Sequence, residues 1–526
     1  MTVSRRVFLA GSLGLAGAAV LGSSGCSTGS PEQTAVLLAS ALPTPERFLV
    51  PLEVPPVLRP TSTAGGVTRY TVVQRRAALE ILPGLKTEVY GYDGLLPGPT
   101  IRARRGERLV VTHRNTLDVP TVVHLHGGHT PAASDGFPVD LVLPEGSPHP
   151  HRSGHSHSGS STTGHGGMSG DVSQGSRDYL YPSDQQAATL WYHDHRMDFT
   201  APQVWRGLAG FHLISDDVED ALALPRDERD IPLMIMDRAF EADGSFRYPS
   251  LDPRLVDPPG VTDEFVSGVL GDVILVNGRP WPVLEVAAAR YRFRVLNASN
   301  ARRYALALDP PPPSGPSFVQ IGSDSGLLAA PVSHTTVTAA PAERFDVVVD
   351  FGAYPVGTEI TLTNQLGRGP TDSVMRFRVT ARARDDSRIP AKLAQVPPLP
   401  APEAVSRQWR FTRGTQGQPH WVINQRPFDP ARMEAQVPLG RVERWRFYSD
   451  VHHPVHVHLD PFQVLSRGGR APGALDGGYK DTVDLRPGEY VDVAVRFTDH
   501  TGAYLVHCHN LEHEDMAMMA AFATVR

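Results

Sequence analysis

A chain of 526 residues, 20% of them charged, is long enough for about three domains of roughly 150 residues each. Its 48 glycines and 48 prolines exceed the usual ~12% share for the two together and favour many short strands and turns over helices. A net charge of −6 excludes the basic surface of a nucleic-acid binder, and two cysteines, Cys26 and Cys508, exclude a disulfide framework.

In chain order, Ser4-Arg5-Arg6-Val7-Phe8-Leu9 places paired arginines before an apolar run over residues 7–21. That run is shorter than the ~20 residues of a spanning helix, so residues 1–26 read as a twin-arginine signal. Export to an extracellular, cell-envelope or periplasmic location follows. Cys26 precedes Ser-Thr-Gly-Ser-Pro, but Ser23 stands where a lipoprotein signal usually has Leu; a lipid anchor at Cys26 and plain cleavage both stay open. No other stretch is apolar enough to span a membrane.

Residues 27–60 are rich in Pro, Ser and Thr and read as an extended tether. From there short β-rich runs alternate with turn residues at 69–75, 109–114, 121–125, 189–193 and 210–214. A second set covers 231–237, 273–276, 291–295, 318–321, 344–350 and 359–363. After the Pro-rich linker 391–402, a third covers 407–412, 442–448, 490–497 and 503–507. Strands at this spacing without helical periodicity predict an all-β protein of three domains, 61–220, 221–390 and 403–526. An insertion at 149–170, Ser/Gly-rich with five histidines and Met168, predicts a disordered loop, either an incidental linker or a metal-capture segment.

Four histidine clusters carry the chemistry: His124-Leu-His126-Gly, Trp191-Tyr-His193-Asp-His195, His453-Pro-Val-His456-Val-His458, and His507-Cys508-His509 followed by His513 and Met518. In a strand, residues i and i+2 share a face, so each His-x-His pair aims two imidazoles at one place, and eight convergent imidazoles suit several close metal ions. Alternation sends Cys508 to one side and His507 and His509 to the other, which would connect a thiolate-bound metal by two short covalent paths to metals held by its neighbours. His453, Cys508 and His513 supply the ligand set of a blue-copper site with Met518 placed as weak axial ligand; Met516 and Met519 compete for that role by position. Ordinary roles are expected for His113, His129, His212, His334, His420, His452 and His500, and core packing for Trp191 and Tyr192.

These clusters, in this order, resemble the multicopper oxidases, and most closely the bacterial spore-coat laccase and bilirubin oxidase branch. The likeness runs from about residue 68 to the end and includes Ser134-Asp-Gly136, Leu275-Val-Asn-Gly278 and Ala340-Pro-Ala-Glu-Arg344. It implies three cupredoxin-like Greek-key β-barrels, with a three-copper cluster between the first and third and the second as a spacer. It implies four copper ions: type 1 at His453, Cys508, His513 and Met518; type 2 at His124 and His456; a type 3 pair at His126, His193, His195, His458, His507 and His509. Glu514 and Asp135 sit where such enzymes keep the acids that feed protons to oxygen. Their structural alternatives are orientation of a ligand histidine for Glu514 and a turn residue before Gly136 for Asp135.

The function expected is that of a monomeric, laccase-like oxidase with O2 and a small-molecule donor (a phenol, an aromatic amine or a bilirubin-type tetrapyrrole) as its partners. A metallo-oxidase acting on Cu(I) or Mn(II) is the second enzyme reading, favoured by the His-rich loop. A copper carrier or electron-transfer protein is the third. It would need only the type 1 set and would leave the eight-imidazole cluster without a purpose.

Overall fold

The computed structural model describes residues 34–147 and 170–526. The leader, Cys26 and most of the His-rich insertion lie outside them. The described chain forms strands joined by turns and a few short helices, as the all-β reading expects, and its main strands assemble as three successive pairs of sheets. Among the described residues no helix is long and apolar enough to cross a membrane.

The strands arise from simple alternation. Over Val442–Ser449, Glu443, Trp445, Phe447 and Ser449 are buried while the residues between them are half-buried, the period-2 pattern of a sheet with one face on a core. Each sheet pair encloses its own apolar core. The first contains Val72, Val111, Leu190 and Tyr192, the second Ile235, Phe293, Val347 and Phe377, and the third Trp445, Phe447, Tyr504 and Phe522.

One topological signature recurs in all three. In the first pair Val67–Leu79 runs parallel to Arg108–Asn115, and Gly98–Arg104 to Ala209–Ser215. In the second, Asp230–Phe240 is parallel to Arg290–Asn297, and Val283–Ala288 to Ser373–Arg382. In the third, Arg407–Arg413 is parallel to Val442–Ser449, and Met433–Pro438 to Met519–Val525. Parallel neighbours demand crossover connections, so the same barrel is wound three times from sequences with no residue-level repeat.

The stretch read as a tether is extended from residue 34 onward, but it is bound. Val36–Leu38 pairs with Val269–Gly271, and Val57 bridges to Thr100. The Pro-rich linker is likewise tied down, with Leu393 N–H donating to the Ala329 carbonyl and Leu399 N–H to Gln463 Oε1.

The first and second pairs meet over a buried charge cluster. Arg292 Nη2 lies 2.8 Å from Glu219 Oε2, and Arg294 Nη2 2.8 Å from Asp230 Oδ2. Burial opposes ionisation of both carboxyls, but Arg294 and Arg292 prevail and hold Glu219 and Asp230 down at about 2. A carboxyl that titrates lower folded than unfolded supplies stability that is complete above its ordinary pKa and is lost as pH falls toward the folded one. Glu219→Gln is therefore expected to lower the denaturation midpoint at pH 7, with the gap to wild type shrinking by about half on going to pH 3. Urea titrations at the two pH values check this, and a gap independent of pH would contradict it.

Candidate metal centre

Cross-strand register builds the first half of the site. Val123–His126 pairs antiparallel with Ala188–Asp194 so that His124 stands opposite His193 and His126 opposite Trp191. In the third sheet pair, His453–Val457 pairs with Gly502–Cys508, setting His456 opposite His507 and Val455 opposite Cys508. Directly opposed residues on one sheet face have Cβ atoms ~5 Å apart, so both sheets present packed imidazoles. Contacts between the first and third pairs bring the two sets together. Tyr504 donates to the Thr130 carbonyl at 3.0 Å, and the Asp515 carboxylate accepts from Thr200 and Ala201 N–H at the start of the helix Thr200–Arg206.

Eight imidazoles then meet in one buried space. His124 Nε2 lies 3.4 Å from His456 Nε2. His507 Nε2 lies 3.4 Å from His195 Nε2 and 3.1 Å from His458 Nε2. The rings of His126, His193 and His509 surround a third position with centroids 5.0–5.7 Å apart. All eight side chains are at most 1% exposed.

Alternation places Cys508 on the opposite face, in the core of the third pair. Its Sγ is 3.3 Å from His453 Nδ1 and 3.7 Å from His513 Nδ1, and the two Nδ1 atoms are 3.2 Å apart. Such a triangle suits three N and S donors each about 2.0–2.3 Å from a common ion. Met518 is fully buried in the same core cluster, whereas Met519 packs with Phe137 and Phe428 and Met516 is half-buried at the margin of two clusters.

The residues fit metal. Burial, reinforced by neighbouring imidazoles, holds His124, His193, His458, His507, His509 and His513 well below the ordinary histidine value and brings His195 down to about 4. Their lone pairs are thus free at neutral pH. His193 Nε2, His126 Nδ1 and both nitrogens of His509 are buried without a hydrogen-bond partner, a costly arrangement unless an ion takes a lone pair. Burial also pushes the Cys508 thiol well above its usual range, so it becomes a thiolate only for a cation. Several soft N and S donors of this kind suit copper.

The outer nitrogens are held. His124 Nδ1 meets the Asp135 carbonyl at 2.5 Å, His456 Nδ1 the Asp481 carbonyl at 2.9 Å, and His458 Nδ1 meets Asp135 Oδ2 at 2.7 Å. His126 is reversed: its Nε2 lies 3.1 Å from Asp481 Oδ1, leaving Nδ1 inward. Glu514 sits with Oε2 3.1 Å from His507 Nδ1 and Oε1 3.7 Å from His195 Nδ1. Burial pushes both Glu514 and Asp135 up from their ordinary values.

Sequence reasoning misses several residues that touch the ligands, Asp450, Trp421 and Asp481 among them. Asp450 accepts from His453 Nε2 at 3.0 Å, Trp421 stacks on His513 at 3.7 Å, and Asp481 touches His126 and supports His456. Of these three, only Asp450 had a local signal, its i,i+3 spacing before His453. Of the histidines read as ordinary, His113 and His212 are buried in the first core, away from the cluster. His129 lies between Asp460 and Asp499.

A thiolate–imidazole site joined through one tripeptide to a polyimidazole site, on three like barrels, defines a copper-dependent oxidoreductase. The multicopper oxidase family models match residues 400–526 and, in two segments, 74–150 and 151–219. The chain is 38% identical to a laccase of Bacillus stratosphericus over 90% of its own length and 98% of that protein. It is 37% identical to the bilirubin oxidase of Albifimbria verrucaria over 91% and 81%. The crystal structure of a multi-copper oxidase from Pediococcus acidilactici superposes with a TM-score of 0.78 at 31% identity, covering 93% of each chain. The chain belongs to the multicopper oxidase family, in its laccase and bilirubin oxidase-like branch. It is a laccase-like, copper-dependent oxidoreductase with O2 as acceptor and three cupredoxin-like domains.

Proposed function

We propose that the chain carries four copper ions and couples one-electron oxidation of phenolic, aromatic amine or bilirubin-type donors to the four-electron reduction of O2 to water. His453, Cys508 and His513, with Met518 in the axial place, would hold one ion, and His124 and His456 a second. His126, His193, His195, His458, His507 and His509 would hold a pair. Copper in these places supplies single-electron exchange at the thiolate and multi-electron chemistry toward O2 at the imidazoles. The observation that carries the reading is the face alternation at Cys508, whose flanking imidazoles point into a different site from its sulfur.

The chain's own residues prepare that chemistry. Complete burial of the eight imidazoles keeps bulk water from the oxygen site. Asp135 holds the Nδ1 proton of His458, and the Asp135 and Asp481 carbonyls hold those of His124 and His456, which fixes the tautomers with Nε2 inward. Glu514 lies beside the outer nitrogens of His507 and His195 and is positioned to hand protons inward, with Asp135 as its counterpart across the cluster. Residues 1–26 support export by the twin-arginine route, and the mature chain is proposed to act as a monomer.

Oxygen uptake by copper-loaded protein with a phenolic donor tests the reading. Four donor molecules oxidised per O2, without peroxide, is the expected result. No uptake, or one copper per chain, would leave the carrier reading in its place.

A further inference from the structure

One route from the middle sheet pair to the metal centre runs through Arg344. Arg344 opens the strand Arg344–Asp350 of the second pair, and its guanidinium is 1% exposed. All five of its N–H donors are engaged. Nε donates to the Thr189 carbonyl at 2.9 Å, on the strand that carries His193. Nη1 donates to the Ala342 carbonyl at 3.0 Å and to Asp481 Oδ1 at 2.7 Å. Nη2 donates to the Asp324 carbonyl at 3.0 Å and to Asp481 Oδ2. A planar fork saturated in this way is a geometry that only arginine provides.

Asp481 passes that geometry on. Its Oδ1 is 3.1 Å from His126 Nε2, and its carbonyl accepts from His456 Nδ1 at 2.9 Å, so one residue orients an imidazole from each of the two outer domains. Its backbone is clamped from the second pair as well. Asp324 Oδ2 accepts the N–H of Asp481 and Thr482, each at 3.3 Å, and pairs with Lys480 Nζ at 3.0 Å; Lys480 also meets Glu343 Oε1 at 3.3 Å.

A second observation points the same way. Gly127 directly follows His126 and has φ +80°. A Cβ there would lie 2.7 Å from Arg344 Nη2 and 2.7 Å from Asp481 Oδ2. The Arg344–Asp481 pair is therefore packed against the backbone that aims His126, and the glycine of the His-Leu-His-Gly motif is the space it needs.

We propose that Arg344 is a positioning residue for the three-copper cluster: acting through Asp481, it sets the tautomer and ring angle of His126 and His456, although it touches no metal ligand. The second domain is then part of the metal centre's outer shell and more than a spacer. Outer-shell partners of this kind commonly govern metal affinity by 10–100-fold.

The proposal rests on copper occupying the imidazole cluster, so wild-type protein is measured first for copper per chain, blue band and type 2 electron paramagnetic resonance signal. A wild type holding one copper refutes the cluster reading itself. Given a full wild type, Arg344→Met is expected to keep the blue band, which reports a folded third domain, while losing at least half of its type 2 signal and a matching share of copper. Asp481→Asn, which preserves shape, should reproduce that loss, and Arg344→Lys should restore it only in part. A full copper complement with an unaltered type 2 signal in Arg344→Met overturns the proposal. Should that variant fail to fold, the same result in Asp481→Asn overturns it.

Discussion

Cys508→Ser is expected to give a colourless protein without measurable oxidase turnover that still loads the three coppers proposed for the imidazole cluster. Sγ is the one sulfur between His453 Nδ1 and His513 Nδ1, and a hydroxyl there is neither a soft ligand nor readily ionised. Serine is nearly isosteric, and its hydroxyl finds His453 Nδ1 within reach, so the buried core around Trp445 and Phe522 should tolerate it. The backbone of His507 and His509 is untouched, so their imidazoles stay on the opposite face, and the type 2 resonance should survive with three coppers per chain. That combination separates the two sites. A persisting blue band, or turnover near that of wild type, would refute the assignment of Cys508.

Glu514→Gln is expected to slow steady-state oxygen consumption by about 10²–10³-fold, within the range for loss of a positioned proton carrier, while the blue band is unchanged. Glu514 is fully buried, with its two oxygens beside the outer nitrogens of His507 and His195. Glutamine keeps the shape but cannot exchange a proton. Anaerobic bleaching of the blue band by a donor should run at the wild-type rate, whereas recovery of the colour on admitting O2 should slow. If Glu514 only orients His507, the variant would instead lose cluster copper, which metal analysis would register. Normal turnover would remove it from the proton path altogether.

The binding elements were legible because their signal is local. A period-2 pattern needs only a few residues, so His124 and His126, or His507 and His509, declare a shared face without any knowledge of the fold. The β-rich runs at 273–276 and 344–350 predict strands with the bounds they have in the structure, Val273–Val276 and Arg344–Asp350. The bound state of residues 34–60 was less legible, since composition registers an extended chain but not the sheet edge that receives it.

What the amino-acid order determined by itself was the donor set and its sidedness: thiolate to one face, imidazoles to the other, in strands whose alternation follows from backbone geometry. Only the tertiary structure decided which donors meet. His124 and His456 are 332 positions apart, and their approach depends on how two barrels pack, a property spread over whole interfaces. The same holds for Asp481 and Arg344. An aspartate and an arginine carry no local mark of what they will face, and their roles exist only once three domains close around one buried charge pair whose isolation would be prohibitively costly.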